Sequence, residues 1–264
     1  MKKNNVLAIM SAKGGTGKTS TTANLAVALS TEFNRKILAV DTNISTASLG
    51  IHFGIDYPKI TMYDVLKKDF PVKSAIINYN DNLDIIPASL KSFDLEKEDD
   101  FYTFPEKIRK LVNHYDIILS SMVKKYDLIL LDSAPGFSFE AIASMQIADG
   151  VLFVTNPDYP ALVATAKAVA YANRLEVPSG GLVLNKVTKN NYELNAQDIE
   201  ELVFAKIAAQ IPLDNKIPES IAKGVPIVLH KPYSKSSIAY KKLAGLLVGE
   251  VYYTNIIEKI RSIF

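Results

Sequence analysis

Seven short apolar runs, each followed by a stretch of helical periodicity, limit what this chain can fold into. They are Val6–Met10, Lys36–Val40, Leu83–Pro87, Asp127–Leu131, Val151–Thr155, Gly181–Asn185 and Ile207–Ile211. The runs are rich in leucine and β-branched residues and scarcely alternate with polar ones, as expected of strands buried on both faces of a parallel sheet. Helices are expected at about Lys18–Ser30, Met62–Lys68, Pro105–Lys124, Ser138–Ile147, Ala161–Leu175, Asn195–Phe204 and Ser236–Glu250. Strands that alternate with helices predict an α/β fold: a doubly wound, mostly parallel sheet with helices on both faces, in three layers. A chain of 264 residues, 48% of them hydrophobic, suits one domain over 1–250 followed by an amphipathic helix over 251–264. Turn-forming residues place loops at Asn78–Asn82, Lys91–Asp100, Val177–Gly181 and Lys189–Asn195, and no repeat interrupts the pattern.

Composition removes whole classes of chemistry. The chain has no cysteine, which excludes disulfide scaffolds, thiolate zinc sites, iron-sulfur clusters and cysteine nucleophiles, and fits a cytoplasmic setting. The three histidines, His52, His114 and His230, lack metal-ligand spacing. Lys2 and Lys3 precede an apolar run that stops at Ser11 and Lys13, so the N-terminus reads as a buried strand and not as a signal peptide. No apolar run approaches the roughly 18 to 20 residues of a membrane span. The formal net charge of +2 hides an asymmetry: from Ile221 to Phe264 there are seven Lys/Arg and only two acids, a basic end that suits anionic lipid or nucleic acid.

The chemistry is concentrated in Ser11-Ala12-Lys13-Gly14-Gly15-Thr16-Gly17-Lys18-Thr19, between the first strand and the first helix. The strict phosphate-loop pattern asks for glycine where Ala12 stands. The physics survives that mismatch. Gly14, Gly15 and Gly17 let successive backbone N–H groups turn inward around phosphate oxygens, and Thr16 lies among them. The loop opens onto a helix N-terminus, whose dipole favours an anion. Lys18 is expected to bridge β- and γ-phosphates, the Thr19 hydroxyl to ligate magnesium and Ser20 to support the α-phosphate. Tyr126–Asp132 is an apolar strand that delivers Asp132 at its C-terminal tip, placed to hold Mg²⁺ through water. Gly136, in Ser133-Ala134-Pro135-Gly136, is placed to offer an amide to the γ-phosphate and so to sense hydrolysis.

With Lys13 included, Lys13-Gly-Gly-Thr-Gly-Lys-Thr19 resembles the deviant Walker A motif of the MinD/ParA family of P-loop ATPases, which carries an extra lysine five residues before the usual one. The resemblance covers most of the chain. Asp41 matches the family's second acidic motif, Asp132 its Walker B residue, Asn185 its adenine-reading asparagine, and Ile211-Pro212-Leu213-Asp214 its late adenine-side loop, which makes Pro212 a nucleotide contact. Archaeal MinD-like proteins are similar in Thr155-Asn156-Pro157 and in the run from Ile217 to Gly224-Val225-Pro226. The resemblance implies ATP and ADP as ligands, Mg²⁺ as cofactor and an ATP-dependent homodimer in which Lys13 reaches the partner's nucleotide. It also implies a recruited or activating protein partner. A second ammonium neutralises phosphate charge that Lys18 and Mg²⁺ leave over.

One position departs from the family. Where the family has aspartate two residues after Asp41, to orient the attacking water, this chain has Asn43. An amide holds water but cannot accept its proton, so turnover is expected to be slow with ATP binding intact. In Thr254–Phe264, residues Ile256, Ile257, Ile260, Ile263 and Phe264 form one helical stripe. That stripe resembles the terminal membrane-targeting helix of the MinD branch and implies peripheral attachment to the inner face of the cell membrane. The alternatives from the same fold are a ParA-type partitioning ATPase that binds nonspecific DNA, a metabolic enzyme of the dethiobiotin-synthetase kind, which lacks the lysine at the Lys13 position, and a bacterial tyrosine kinase, suggested by Tyr252-Tyr253.

Overall fold

The computed structural model describes residues 5–67, 69–89, 103–188, 190 and 193–254. Its strands are β1 (Val6–Met10), β2 (Ile37–Asp41), β3 (Ile77–Asn80), β4 (Leu83–Ile86), β5 (Leu128–Asp132), β6 (Gly150–Thr155), β7 (Ser179–Val187) and β8 (Ile207–Pro212). The helices are α1 (Lys18–Glu32), α2 (Leu49–His52), α3 (Met62–Leu66), α4 (Phe104–Ser120), α5 (Phe139–Ile147), α6 (Tyr159–Arg174), α7 (Ala196–Val203), α8 (Lys216–Ala222), α9 (Ile227–His230) and α10 (Lys235–Val248).

The strands form one sheet in the order β3-β4-β2-β5-β1-β6-β7-β8, parallel throughout except for the β3–β4 hairpin. All seven strands expected from the apolar runs are present and parallel. The chain winds from β1 toward the β4 edge, returns to insert β5 beside β1, and then builds β6, β7 and β8 on the other side. That reversal puts a crevice at the C-terminal ends of β1 and β5, where open α/β sheets bind ligands.

The pleat sorts each strand between two apolar layers. Ala8, Met10, Leu38, Val40, Ile129, Leu131 and Phe153 face α4, α5, α6 and α7. Ile9, Ile37, Ala39, Leu130, Leu152 and Val154 face α1, α9 and α10. Because both faces are covered, the strands lack the polar alternation of a one-sided sheet. In α1, Lys18 and every residue from Thr21 to Ser30 are buried, so this helix is enclosed on nearly all sides.

Where the fold departs from the sequence reading, the local signal is weak. The expected Asn78–Asn82 loop contains most of β3, an asparagine-rich edge strand that pairs antiparallel with β4 through an irregularity at Asn78/Asn80. The short helices α2, α8 and α9 run for only four to seven residues, too few to show a period. Past α10, Glu250 pairs with Arg35 and the Tyr252 ring meets Phe33 edge-on, with centroids 6.4 Å apart, so the chain lies back against α1. The acidic stretch Lys91–Asp100 and the amphipathic stripe beyond Thr254 fall outside the described residues. No helix among the described residues is long and apolar enough to cross a membrane.

Phe153 is fully buried at the centre of the sheet. Phe153→Ala should lower stability by about 3–5 kcal/mol, seen as a fall in the urea midpoint at unchanged m-value.

Candidate nucleotide-binding site

The loop from Ser11 to Gly17 leaves the C-terminal tip of β1 and turns into α1. Helices α5, α6, α7 and α10 each have a side-chain N-cap, from Ser138, Asp158, Asn195 and Ser234, and α4 has a capping box of Thr103 and Glu106. Helix α1 has none. Its N-cap is Gly17 in the left-handed conformation, with φ of 93°, so no side chain caps its first amides, the groups that bind an anion at a helix start. A Cβ on Gly17 would stand 2.0 Å from Asn185 Nδ2.

The far side of the loop is braced by β7. Asn185 Nδ2 donates to the Thr16 carbonyl at 2.7 Å, and Lys186 Nζ donates to the Gly15 carbonyl at 2.8 Å. Lys186 holds a left-handed backbone with φ of 59°, rare for a residue with a side chain. Asn185 Oδ1 and Thr16 Oγ1 are buried without partners, two polar atoms left over in the loop's lining.

The electrostatic centre is a buried ion pair. Register sets Asp132 level with Ile9 on β1 and with Asp41 on β2. Lys18 Nζ lies 2.9 Å from Asp132 Oδ1, which also accepts from Thr22 Oγ1 at 3.1 Å. Asp132 Oδ2 is buried with no partner. An orphaned carboxylate oxygen close to the start of α1, where Thr19 lies, suits a hard divalent cation that takes oxygen ligands. Asp41 is spent differently. Its carboxylate accepts from the amides of Asn43, Ser48 and Leu49 at 3.0, 3.1 and 3.0 Å, which ties the following loop to β2. Burial, and next the Asp132 charge, push its pKa up to about 7, against the opposing pull of the Leu49 amide, the Lys18 charge and the Ser48 amide.

The other expected site residues fall as follows. Thr19 Oγ1 is 3.1 Å from Ser48 Oγ, and Ser20 Oγ is 3.0 Å from His52 Nε2. Asn43 lines the pocket, but its Nδ2 donates to the Thr46 carbonyl and its Oδ1 accepts from Thr46 Oγ1, at 2.7 and 3.0 Å. The Gly136 amide donates to the Ser11 carbonyl at 2.8 Å, which joins the two loops. Pro212, at the tip of the edge strand β8, lines the pocket with Leu213, Ile217, Pro218 and Ile221, an apolar end. Lys13 is exposed, is not among the lining residues and has no partner among the described residues. The pocket measures 530 Å³ and joins the amide-rich loop to that apolar end, the division of labour a nucleotide requires.

Sequence reasoning missed Thr46, Ser48, His52 and Lys186 in the lining, and also the brace behind it, where Glu140 accepts from Ser45 N and Oγ at 3.1 and 2.9 Å. The available signal was the Ser48/His52 spacing of four, one helical turn, just after the strand that ends in Asp41.

A glycine loop, a helix-start lysine and a strand-tip aspartate on a doubly wound sheet define a P-loop nucleotide-binding protein. Comparison with known proteins narrows the class. The AAA domain family matches residues 4–177. An uncharacterised ATP-binding protein, MJ0169, of Methanocaldococcus jannaschii is 30% identical over 258 residues, 97% of this chain and 93% of that protein. The cell division ATPase MinD of Pyrococcus furiosus superposes with a TM-score of 0.82 at 33% identity, over 93% of this chain and 99% of its own. The septum site-determining protein MinD of Pyrococcus horikoshii, solved with Mg-ADP, gives 0.80 at 31% identity, over 97% and 98% of the two chains. The chain belongs to the AAA domain family that matches it and to the MinD/ParA family of P-loop ATPases.

Gly17→Ala should weaken binding of a fluorescent ATP analogue by about tenfold or more, with the far-ultraviolet circular dichroism unchanged. Unaltered affinity would show that the loop does not need this backbone.

Proposed function

We propose that this chain binds Mg-ATP in the pocket, hydrolyses it slowly, and uses ATP to pair two copies, so that it works as a nucleotide-switched spatial-positioning protein of the division-site kind. The observation that carries the reading is the uncapped start of α1 beside the buried Lys18–Asp132 pair, whose second carboxylate oxygen has no partner. Gly14 to Gly17 present amides to the phosphates and Lys18 exchanges its carboxylate for phosphate oxygens. Thr19 and Asp132 hold the cation, which supplies charge neutralisation at the phosphates. Asn185 and Pro212 take the base, and Gly136, hydrogen-bonded to Ser11, links the phosphate end to the start of α5.

Support for slow turnover comes from the pocket wall. Both ends of the Asn43 amide are bonded to Thr46, and the carboxylate among the lining residues, Asp214, lies beside Pro212 and accepts from Ser236 Oγ and the Lys216 amide. Asp41, with three amide donors, positions the loop for catalysis. Support for pairing comes from Lys13, an exposed ammonium on the phosphate loop with no partner among the described residues, free to serve a neighbouring copy's phosphates. A pair also presents two copies of the 254–264 stripe, which multiplies a weak lipid contact.

Lys13→Ala should retain ATP binding and remain a monomer with ATP in sedimentation velocity. Wild-type pairing by that variant would reduce the chain to a generic triphosphate binder. In single-turnover measurements Asn43→Asp should raise the hydrolysis rate by about a hundredfold, the usual scale of a general base. An unchanged rate would remove position 43 from the chemistry.

A further inference from the structure

His52, at the end of α2, is buried and lines the nucleotide pocket, yet the reading above gives it no task. Its two ring nitrogens have different partners. Nδ1 lies 3.0 Å from the Ser48 carbonyl oxygen, and Nε2 lies 3.0 Å from Ser20 Oγ. A carbonyl oxygen only accepts, so Nδ1 carries a hydrogen. Burial is the largest influence on the ring and holds its pKa below the ordinary value. The Lys18 charge acts in the same direction, and the Ser48 hydrogen bond and the Asp132 charge oppose it. The ring is therefore neutral, its Nε2 is a bare lone pair, and Ser20 gives it the one hydrogen that a serine hydroxyl has.

That geometry conflicts with phosphate binding. Ser20 directly follows the Lys18-Thr19 pair, and its hydroxyl reaches a phosphate oxygen only by donating, because a phosphate oxygen is an acceptor. One hydrogen cannot serve both Nε2 and phosphate. The conflict disappears if Nε2 gains a proton from solvent. Nε2–H then donates to Ser20 Oγ, Nδ1–H still donates to the Ser48 carbonyl, and the Ser20 hydrogen turns to the phosphate. Every donor is satisfied, and an imidazolium charge sits beside a polyanion.

We propose that nucleotide binding takes up one proton at His52, which makes His52 the positioning residue that frees the Ser20 hydroxyl for phosphate. The proposal rests on the ATP-site reading. The charged groups around the ring leave the ligand to decide its state. From α1 comes Lys18, paired with Asp132 of β5; from β2 comes Asp41, held by three amides. From α8 the pocket receives Ile217, Pro218 and Ile221, while Glu219 of that helix pairs with Lys223 and His230. Among these carboxylates none hydrogen-bonds His52. The pKa of the ring is higher in the bound state than in the free state, so affinity is greatest at low pH. It falls as pH rises between the two values, by at most about tenfold per unit.

The test is calorimetric titration of the full chain with Mg-ADP at pH 7 in two buffers of different protonation enthalpy, repeated from pH 5.5 to 8.5. Expected are uptake approaching one proton per nucleotide, an affinity that weakens with rising pH, and ring nitrogen resonances of His52 that move to the imidazolium position on binding. His52→Gln, whose amide donates to Ser20 without titrating, should bind with a pH-independent affinity and no uptake. Ser20→Ala, which removes the contested hydroxyl, should bind more weakly and also without uptake. Mg-ADP binding by the wild type without buffer-dependent heat would overturn the proposal. Uptake that persists in His52→Gln would overturn it too, and would move the proton to Asp41. No Mg-ADP binding at any pH would remove the site reading, and this inference with it.

Discussion

A buried ammonium held against a buried carboxylate organises the rest of this molecule. Lys18 opens α1 and Asp132 closes β5, and the parallel register that sets Asp132 beside Ile9 brings them to 2.9 Å. Truncation of one member of such a pair leaves an uncompensated buried charge and typically costs about 3–5 kcal/mol. The pair therefore fixes where α1 starts relative to the sheet. It also leaves the site chemically unfinished. Lys18 has further hydrogens, Asp132 has an unpartnered oxygen, and the α1 amides lack a cap. An anion for the lysine and a cation for the aspartate complete it together, so a nucleotide with its metal fits where either alone would leave a charge unmatched.

Much of this was legible in the sequence because the informative features are local. The seven parallel strands show as apolar runs since both sheet faces are covered, and the phosphate loop shows because Gly15 and Gly17 adopt positive φ that few other residues tolerate. Asp132 was readable as the polar residue that ends an apolar strand. What escaped depends on contacts across the chain. The hairpin strand β3 gains its extended form from β4, and its asparagines point to a turn. His52 gives no signal by itself. Its role exists because Asp41 folds the 42–49 segment back so that Ser48 and α2 meet the first turn of α1. Lys186 likewise matters only because β7 ends beneath the loop, and Asn185, readable by resemblance, lies close to Gly17, whose positive φ of 93° favours glycine.

The segment from Thr42 to His52 joins three elements around the phosphate loop. It is tied to β2 through Asp41, to α1 through Ser48–Thr19 and His52–Ser20, and to α5 through the Glu140 grip on Ser45. Glu140 is buried, and burial raises its pKa against the hydrogen bonds from Ser45. Hydrogen bonds thus connect Thr19 and Ser20, through this segment, to α5, the helix that follows Gly136. Both routes from the phosphate end, through this segment and through Ser11–Gly136, converge on the start of α5.

The same segment gives a physical reason for an amide at position 43. The Asn43 backbone N–H is bonded to Asp41, whose pKa burial and Asp132 already push up to about 7. A carboxylate at 43 would place a third acid next to this crowded pair and would lose the Nδ2 bond to the Thr46 carbonyl, which a carboxylate cannot make. The loop would be destabilised even as the pocket gained a group that accepts a proton. Asparagine keeps the loop closed with both ends of its side chain satisfied, at the expense of a base. Under the switch reading proposed above, that exchange would prolong the ATP-bound form, because slower hydrolysis lengthens the life of the bound state.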